Sequence, residues 1–218
     1  MKAGNQLYQG PADMPEIVPV FPLEGALLLP RGQIPLNIFE PRYLAMVDDT
    51  LAGDRVIGMI QPRDAGAAAL CDIGCAGRIV SFGETGDGRY LITLTGIARF
   101  GVIAETPSGR PYRTCRVSSA AYAHDFVERA GEDAVDRTSL LRALSDFLDA
   151  NQLEADWTSI GEATTETLVN SLAMMSPFGP AEKQALLEAP DLKARAETLV
   201  AITEISLARA RDGGAPMQ

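Results

Sequence analysis

Two kinds of hydrophobic pattern divide the chain near residue 120. Before it, short apolar or alternating segments are separated by glycine, proline and aspartate, which is typical of β-strands. The predicted strands are Ile17–Phe21, Val56–Ile60, Gly77–Phe82, Tyr90–Thr95, Ile97–Ala104 and Arg113–Val117. After residue 120, leucines recur at helical spacing, as at Leu140, Leu144 and Leu148. The pattern therefore predicts an α+β protein whose strands come first and whose helices come second.

One helix is expected among the strands. Pro41 suits its first turn, where a missing N–H loses no hydrogen bond, and Gly53 suits the position after its end. The apolar residues between them share one helical face: Tyr43, Leu44, Val47 and Leu51. We expect this face to cover the sheet.

Three helix starts and one tight turn are predicted elsewhere. Ser159 with Glu162 has the spacing of a capping box, Pro180 follows Gly179 as a first-turn proline, and Asp191 is a capping residue. In the β-rich half, Gly86-Asp87-Gly88 separates two strand segments and predicts a hairpin turn.

These signals predict four segments. Residues 1–15 are polar and rich in glycine and proline, and are expected to be a flexible tail. Residues 16–120 form the β domain and residues 121–212 a small helical bundle packed on it. Residues 213–218 are expected to be a second flexible tail.

Composition is that of an ordinary globular protein. Of 218 residues, 46% are hydrophobic and 22% are charged. No apolar run approaches the roughly 18 residues of a membrane span, so no membrane partner is expected. The first residues contain no apolar segment typical of a secretory signal, which predicts a cytoplasmic protein.

The charge argues against nucleic acid as a partner. The formal net charge is −10, which repels a phosphate backbone unless basic residues cluster locally. The arginines that such a patch would need all lie in the β-rich half: Arg78, Arg89, Arg99, Arg110, Arg113 and Arg116.

The sequence predicts neither a metal site nor a cofactor. Cys71, Cys75 and Cys115 are interpreted as buried, reduced thiols, because the Cys71–Cys75 spacing is wrong for a zinc knuckle. The single histidine, His124, lies near the predicted domain junction and is interpreted as a solvated linker residue.

Several short motifs occur together in a specific order. They are Val20-Phe21-Pro22-Leu23, Leu29-Pro30, Pro35-Leu36, Phe39-Glu40-Pro41-Arg42-Tyr43, Gly58-Met59, Ile73-Gly74-Cys75, Arg78-Ile79 and Gly96-Ile97-Ala98-Arg99-Phe100. In this order they resemble the amino-terminal, substrate-binding domain of Lon proteases over roughly residues 17–118. The later region Leu168–Leu207 resembles the helical half of stand-alone bacterial proteins of this family.

The resemblance implies a fold and a class of function. The fold would be a pseudo-barrel of about six strands plus one helix, related to PUA-like folds, followed by the helical bundle. In the full-length proteases this part engages unfolded or tagged proteins. We therefore expect a proteolysis-associated module that binds unfolded or tagged polypeptides, alone or as an adaptor to Lon or another protease.

The residues give no support for catalysis. No G-x-x-x-x-G-K-[ST] segment is present to cradle a triphosphate, so binding is expected to be independent of ATP. Lys183 and Lys193 could supply the lysine of a Ser–Lys dyad, but neither lies beside a nucleophile motif. The chain is therefore predicted not to be an enzyme, and a hydrolase using Glu40 is the weakest alternative.

Candidate binding residues precede the predicted helix. We expect the apolar surface to include Leu27, Leu28, Leu29, Ile34, Leu36, Ile38 and Phe39, although the same residues could form the core. The motif residues interpreted as structural are Glu40, Pro41, Arg42, Tyr43, Arg99 and Phe100. In this interpretation Glu40 accepts hydrogen bonds from a guanidinium or from amides at the helix start. The alternative function is a PUA-like domain that binds a small molecule or RNA.

Overall fold

The computed structural model describes residues 1–63, 69–150, 152 and 154–212, with the side chains of 210–212 excepted. Its strands are β1 Lys2–Ala3, β2 Gln6–Leu7, β3 Ile17–Pro22, β4 Gln33–Ile38, β5 Val56–Ile60, β6 Ile73–Glu84, β7 Tyr90–Thr106 and β8 Thr114–Ser118. Its α-helices are α1 Pro41–Leu51, α2 Arg137–Ala150, α3 Trp157–Glu162, α4 Thr165–Met175, α5 Pro180–Glu188 and α6 Leu192–Asp212. Short 3₁₀ segments cover Pro11–Asp13, Ala120–Phe126 and Glu132–Ala134.

Five strands close into a ring. The six-stranded sheet has the order β4-β7-β6-β5-β3-β8, and β8 also pairs with the second half of β7. The long strand β7 therefore takes part twice, which removes the open edges that a flat sheet would leave. This barrel confirms the predicted α+β class. The predicted strand segments lie in strands, with two of them joined in β7, except that Arg113 precedes β8.

The strand β4 extends this ring at one side. It pairs antiparallel with the first half of β7 and, within the described residues, with no other strand. No strand was predicted from sequence for this loop-rich stretch before the helix, and it contains Pro35. The chain tolerates this proline because β4 is an edge strand, where one side needs no hydrogen bonds.

Buried residues cover both faces of the central strand β5. Val56 and Ile60 belong to one apolar cluster, whereas Ile57 and Met59 belong to a larger one. The larger cluster also contains buried leucines from the helical half, including Leu140. The two predicted domains therefore share a core.

Helix α1 has the predicted bounds and a slightly different buried face. It begins at Pro41 and ends at Leu51. Its buried residues are Tyr43, Met46, Val47 and Thr50. Leu44 and Leu51, expected on the same face, are only half-buried at its margins.

Turn and cap predictions have mixed outcomes. Gly86 and Gly88 adopt positive φ in the β6–β7 hairpin, and α5 begins at Pro180, both as predicted. The Asp191 carboxylate accepts the amide of Ala194 at 2.8 Å, which confirms it as a cap. The predicted start at Ser159 is wrong, since Asp156 caps α3 three residues earlier.

Residues 1–15 are built into the fold, contrary to the predicted tail. Strands β1 and β2 form a small antiparallel hairpin, and Ala3 and Tyr8 are buried in the smaller apolar cluster. These two residues anchor the segment. Their burial was not predicted because the residues around them are polar. The second predicted tail, 213–218, lies outside the described residues.

Candidate functional site at the end of the sheet

Most of the predicted binding residues lie in the interior. Leu27, Leu28, Leu29, Leu36 and Ile38 are buried, Ile34 is half-buried and Phe39 is exposed. The expected surface is therefore wrong for the five buried residues. They could contact a partner only by leaving the core.

The reason for this burial is local geometry. In β4, residues 34, 36 and 38 share one face, and that face packs on the larger core. The Leu28 side chain lies against Gly77 and Gly96. A Cβ on either glycine would collide with the Leu27–Leu29 segment. This segment therefore fills the space beside the barrel.

An exposed apolar surface remains where β4, β7 and β6 end together. We call residues 37–39, 82–84 and 89–91 the ribbon end. Asn37 lies opposite Leu91, and Leu91 opposite Gly83, so these positions share the outer face. Leu91 is 51% exposed and Phe39, one step further along the same face, is 62% exposed. The Arg89 guanidinium carbon lies 5.9 Å from the Phe39 ring centroid.

The opposite face of the ribbon end carries two aromatic rings. Phe82, 39% exposed, and the half-buried Tyr90 make an edge-to-face contact with centroids 4.9 Å apart. A hydrogen bond with Asp48 of α1 is the largest cause that raises the pKa of the Tyr90 hydroxyl. The ribbon end therefore presents apolar side chains on both faces.

Acidic groups surround this surface. Asp48 and Glu84 are exposed and form no ion pair with other described residues. Asp87 in the hairpin is paired with Arg89. An approaching positive or neutral segment would be favoured over an acidic one, to an extent that salt reduces.

The helix-start motif makes a local ion pair. Arg42 Nε donates to Glu40 at 2.9 Å, and the Arg42 guanidinium lies 4.5 Å from the Tyr43 ring centroid. Glu40 thus accepts from a guanidinium as predicted, although both groups are partly exposed and belong to the same helix start. The pair does not join the helix to the sheet.

Arg99 joins the two halves of the molecule instead. It is fully buried, and its Nε and Nη2 donate to the two carboxylate oxygens of Asp125 at 2.9 Å. Its Nη1 donates to the carbonyl oxygens of Leu187 and Ala189 at the end of α5. We call Arg99, Asp125 and the groups bonded to them the junction network.

The junction network extends to the rings beside it. The Arg99 guanidinium lies 4.5 Å from the Tyr122 ring centroid, and its Nη2 is 2.9 Å from His124 Nε2. His124 is therefore tied to the junction rather than fully solvated, contrary to its interpretation from sequence. Burial alone would raise the pKa of Asp125, but the hydrogen bonds and charge of Arg99 outweigh it and lower that pKa.

Two further arginines lie at the same junction, Arg195 buried and Arg31 partly exposed. Arg195 donates to the Leu186 carbonyl and to Asn170, and burial lowers its pKa to about 10. Arg31 forms an ion pair with Glu166 of α4. Sequence reasoning missed Asp125 and Glu166, since their partners lie 26 and 135 residues away.

The arginines of the β-rich half do not form a continuous unpaired patch. Arg89, Arg99, Arg110 and Arg113 make ion pairs with acidic residues, and Arg78 donates to the Asp54 carbonyl at 2.7 Å. Only Arg116 of the predicted set has no such bond among the described residues. These pairings weaken the case for RNA.

An open cavity of about 390 Å³ lies between the amino-terminal hairpin and the barrel, and is one place where a small molecule could bind. Tyr8, Asp13, Asp54 and Arg78 line it. Arg78 Nη1, which donates to the Asp54 carbonyl, also contacts the Tyr8 hydroxyl at 3.3 Å, so this nitrogen already has two partners. Nothing in this cavity selects a ligand.

Two of the three thiols, those of Cys75 and Cys115, are buried. Burial raises the pKa of the Cys75 and Cys115 thiols, which makes them poor nucleophiles. Where the structure gives positions, no group of three or more His, Cys, Asp or Glu is placed to hold a metal ion. Likewise, no helix in the described ranges is long and apolar enough to cross a bilayer.

The fold is that of a β-barrel with a helical half packed against it, and it matches known structures. The crystal structure of a Lon N-terminal domain protein from Xanthomonas campestris superposes with a TM-score of 0.63 at 24% identity, covering 85% of this chain and 97% of the other. The N-terminal domain of Mycobacterium avium complex Lon protease gives a TM-score of 0.67 at 18% identity, with 86% and 98% covered.

Sequence comparison then gives the family. The model of the ATP-dependent protease La (LON) substrate-binding domain matches residues 17–204, and the chain belongs to this family. Lon protease 2 of Myxococcus xanthus is 31% identical over 194 residues, covering 84% of this chain and 23% of the relative. Lon protease of Anaeromyxobacter dehalogenans is 29% identical over 192 residues, covering 84% and 22%. The chain thus spans about a quarter of the length of these relatives.

Proposed function

We propose that this chain is a non-catalytic module that recognises unfolded or tagged proteins without ATP, in the cytoplasm, and holds them or presents them to a protease. The observation that carries the proposal is the exposure of Phe39 and Leu91 at the same end of the sheet, the ribbon end. Membership of the Lon substrate-binding domain family supports protein as the class of ligand.

The physical basis is the apolar area left in water. Soluble proteins expose single apolar residues freely, but a contiguous group is typical of an interaction surface. Phe39 and Leu91 lie on the outer face of a rigid sheet, and Phe82 and Tyr90 add apolar surface on its opposite face. Unfolded polypeptides expose similar side chains, so their association would bury apolar area on both partners.

The test is a titration of this protein into a fluorescently labelled, permanently unfolded protein, followed by anisotropy, with the folded form of the same protein as control. We expect saturable binding to the unfolded form alone. The double variant Phe39→Ser, Leu91→Ser should bind at least about tenfold more weakly, because two apolar contacts are worth roughly 1.5 kcal/mol or more each.

Met175→Ser is the matched control, since Met175 is 82% exposed on the helical half, outside the ribbon end. It should leave binding unchanged. Equal binding of folded and unfolded forms would refute the proposal. Retention of labelled RNA in a salt-sensitive manner, with no binding of unfolded protein, would favour the RNA-binding alternative.

A further inference from the structure

We propose that the free edge of β4 takes an extended segment of an unfolded polypeptide as an additional strand. This inference rests on the proposed function and states how the ribbon end would hold its client. The ligand class is any polypeptide main chain in extended conformation, with preference for apolar and uncharged or basic side chains.

The hydrogen-bond register fixes which groups of β4 point outward. The Gly96 amide donates to the Gly32 carbonyl at 2.8 Å, and the pairing continues from Gln33 opposite Thr95. In an antiparallel pair, bonded residues alternate with residues that face away. The residues bonded to β7 are therefore 34, 36 and 38, and those whose main-chain groups face away are 33, 35 and 37.

The outward groups form an incomplete ladder. Gln33 and Asn37 each offer an amide and a carbonyl, whereas Pro35 offers only a carbonyl. The side chains of these three residues are exposed, and no other described strand pairs with this edge. Alternating donors and acceptors at strand spacing are complementary to another extended main chain, as in β-augmentation.

Neighbouring side chains favour a client over other occupants. A strand added at this edge would run beside β4 and the exposed Phe39 that follows it, whose apolar surface would contact a side chain of the added strand, whereas Leu91 lies on the far side of β4. Asp48 and Glu84 at the ribbon end disfavour an acidic segment. A second copy of this chain, with net charge −10, would meet that repulsion as well.

Pro35 also limits how strongly the β4 edge can pair with another strand. Proline on an edge strand prevents uncontrolled pairing between sheets, since one donor of the ladder is absent. At this edge it would also weaken the added strand and keep a client readily released. Pro35 further demonstrates that the edge accepts proline at a position whose amide faces away from β7.

The experiment compares Asn37→Pro with Asn37→Ala in the anisotropy titration against the permanently unfolded protein. Both remove the side chain, but only proline removes the outward amide. Asn37→Pro should bind about tenfold more weakly than Asn37→Ala, because only the proline variant leaves a client carbonyl without its partner. Pro35→Ala, which restores an amide, should bind a few times more tightly.

The outcomes separate the two proposals. Wild-type protein that fails to bind the unfolded client refutes the proposed function and this inference together. Wild-type binding that Asn37→Pro and Asn37→Ala leave equally strong refutes the added strand alone. Circular dichroism and thermal unfolding check that Asn37→Pro is folded. If sedimentation velocity finds a wild-type dimer that Asn37→Pro dissociates, the edge belongs to a second copy and the inference is wrong.

Discussion

The junction network and the ribbon end use opposite kinds of side chain in opposite environments. At the junction, charged groups such as Arg99 and Asp125 are buried and have close partners. At the ribbon end, apolar groups such as Phe39 and Leu91 are exposed, and no described element covers them. Each arrangement costs free energy by itself: buried charge loses hydration, and exposed apolar surface orders water. The difference indicates that the junction maintains the relative position of the two halves, whereas the ribbon end is available for binding.

Removal of the Asp125 carboxylate from the junction network should lower the stability of the protein by the largest amount. Asp125→Ala leaves Arg99 buried without its carboxylate, and loss of one partner of a buried pair typically costs about 3–5 kcal/mol. We expect the free energy of unfolding, measured by urea denaturation, to fall by this amount. Asp133→Ala, at an exposed acidic residue, is the control and should change it little. A loss below about 1 kcal/mol for Asp125→Ala would mean that the pair is not structural.

The same variant changes the response to acid. Because the folded-state pKa of Asp125 is lowered, its stabilising contribution is present above the unfolded value of about 3.9 and is lost as pH falls through the folded pKa. Asp125→Ala should therefore lose less stability than the wild type over that interval. The free energies of unfolding of both proteins, measured from pH 5 to pH 2, test whether the variant loses less stability than the wild type.

Alanine substitutions at two glycines, one in the barrel and one at the ribbon end, should change the stability of the protein by a smaller amount. A Cβ on Gly74 would lie 2.6 Å from the Phe100 ring and 2.7 Å from the Met59 carbonyl oxygen, whereas one on Gly83 at the ribbon end would meet nothing within 4 Å. Gly74→Ala should destabilise the protein by about 1–3 kcal/mol through overpacking, and Gly83→Ala should not. Equal thermal midpoints for the two variants would contradict the packing described for the barrel.

The sequence predicted the barrel strands and α1 because their local signals agree with the tertiary structure. The continuous apolar run Val56–Ile60 and the proline at Pro41 each reflect a constraint that acts within a few residues. The prediction failed at β4, where Pro35 looks like a loop signal unless the open edge is known. It failed again at Ala3 and Tyr8, whose burial depends on contacts with distant strands.

The candidate site was predicted less well than the fold, for a physical reason. Leu27 and Phe39 are both apolar, and only the three-dimensional packing decides that the first is buried and the second exposed. Leu91 and Phe82 join Phe39 through strand pairing across 43 to 52 positions of the chain, which no local pattern encodes. The pairing of Arg99 with Asp125 likewise depends on the fold. The interpretation of Arg99 and Phe100 as structural agrees with their complete burial.

Hydrogen exchange of the main-chain amides with and without a saturating, permanently unfolded client tests the central claim most directly. We predict that added client slows exchange in peptides covering residues 33–39 and 82–91, and leaves peptides from α6 and the junction unchanged. Protection confined to the helical half, or to the cavity lined by Tyr8 and Arg78, would contradict recognition at the ribbon end.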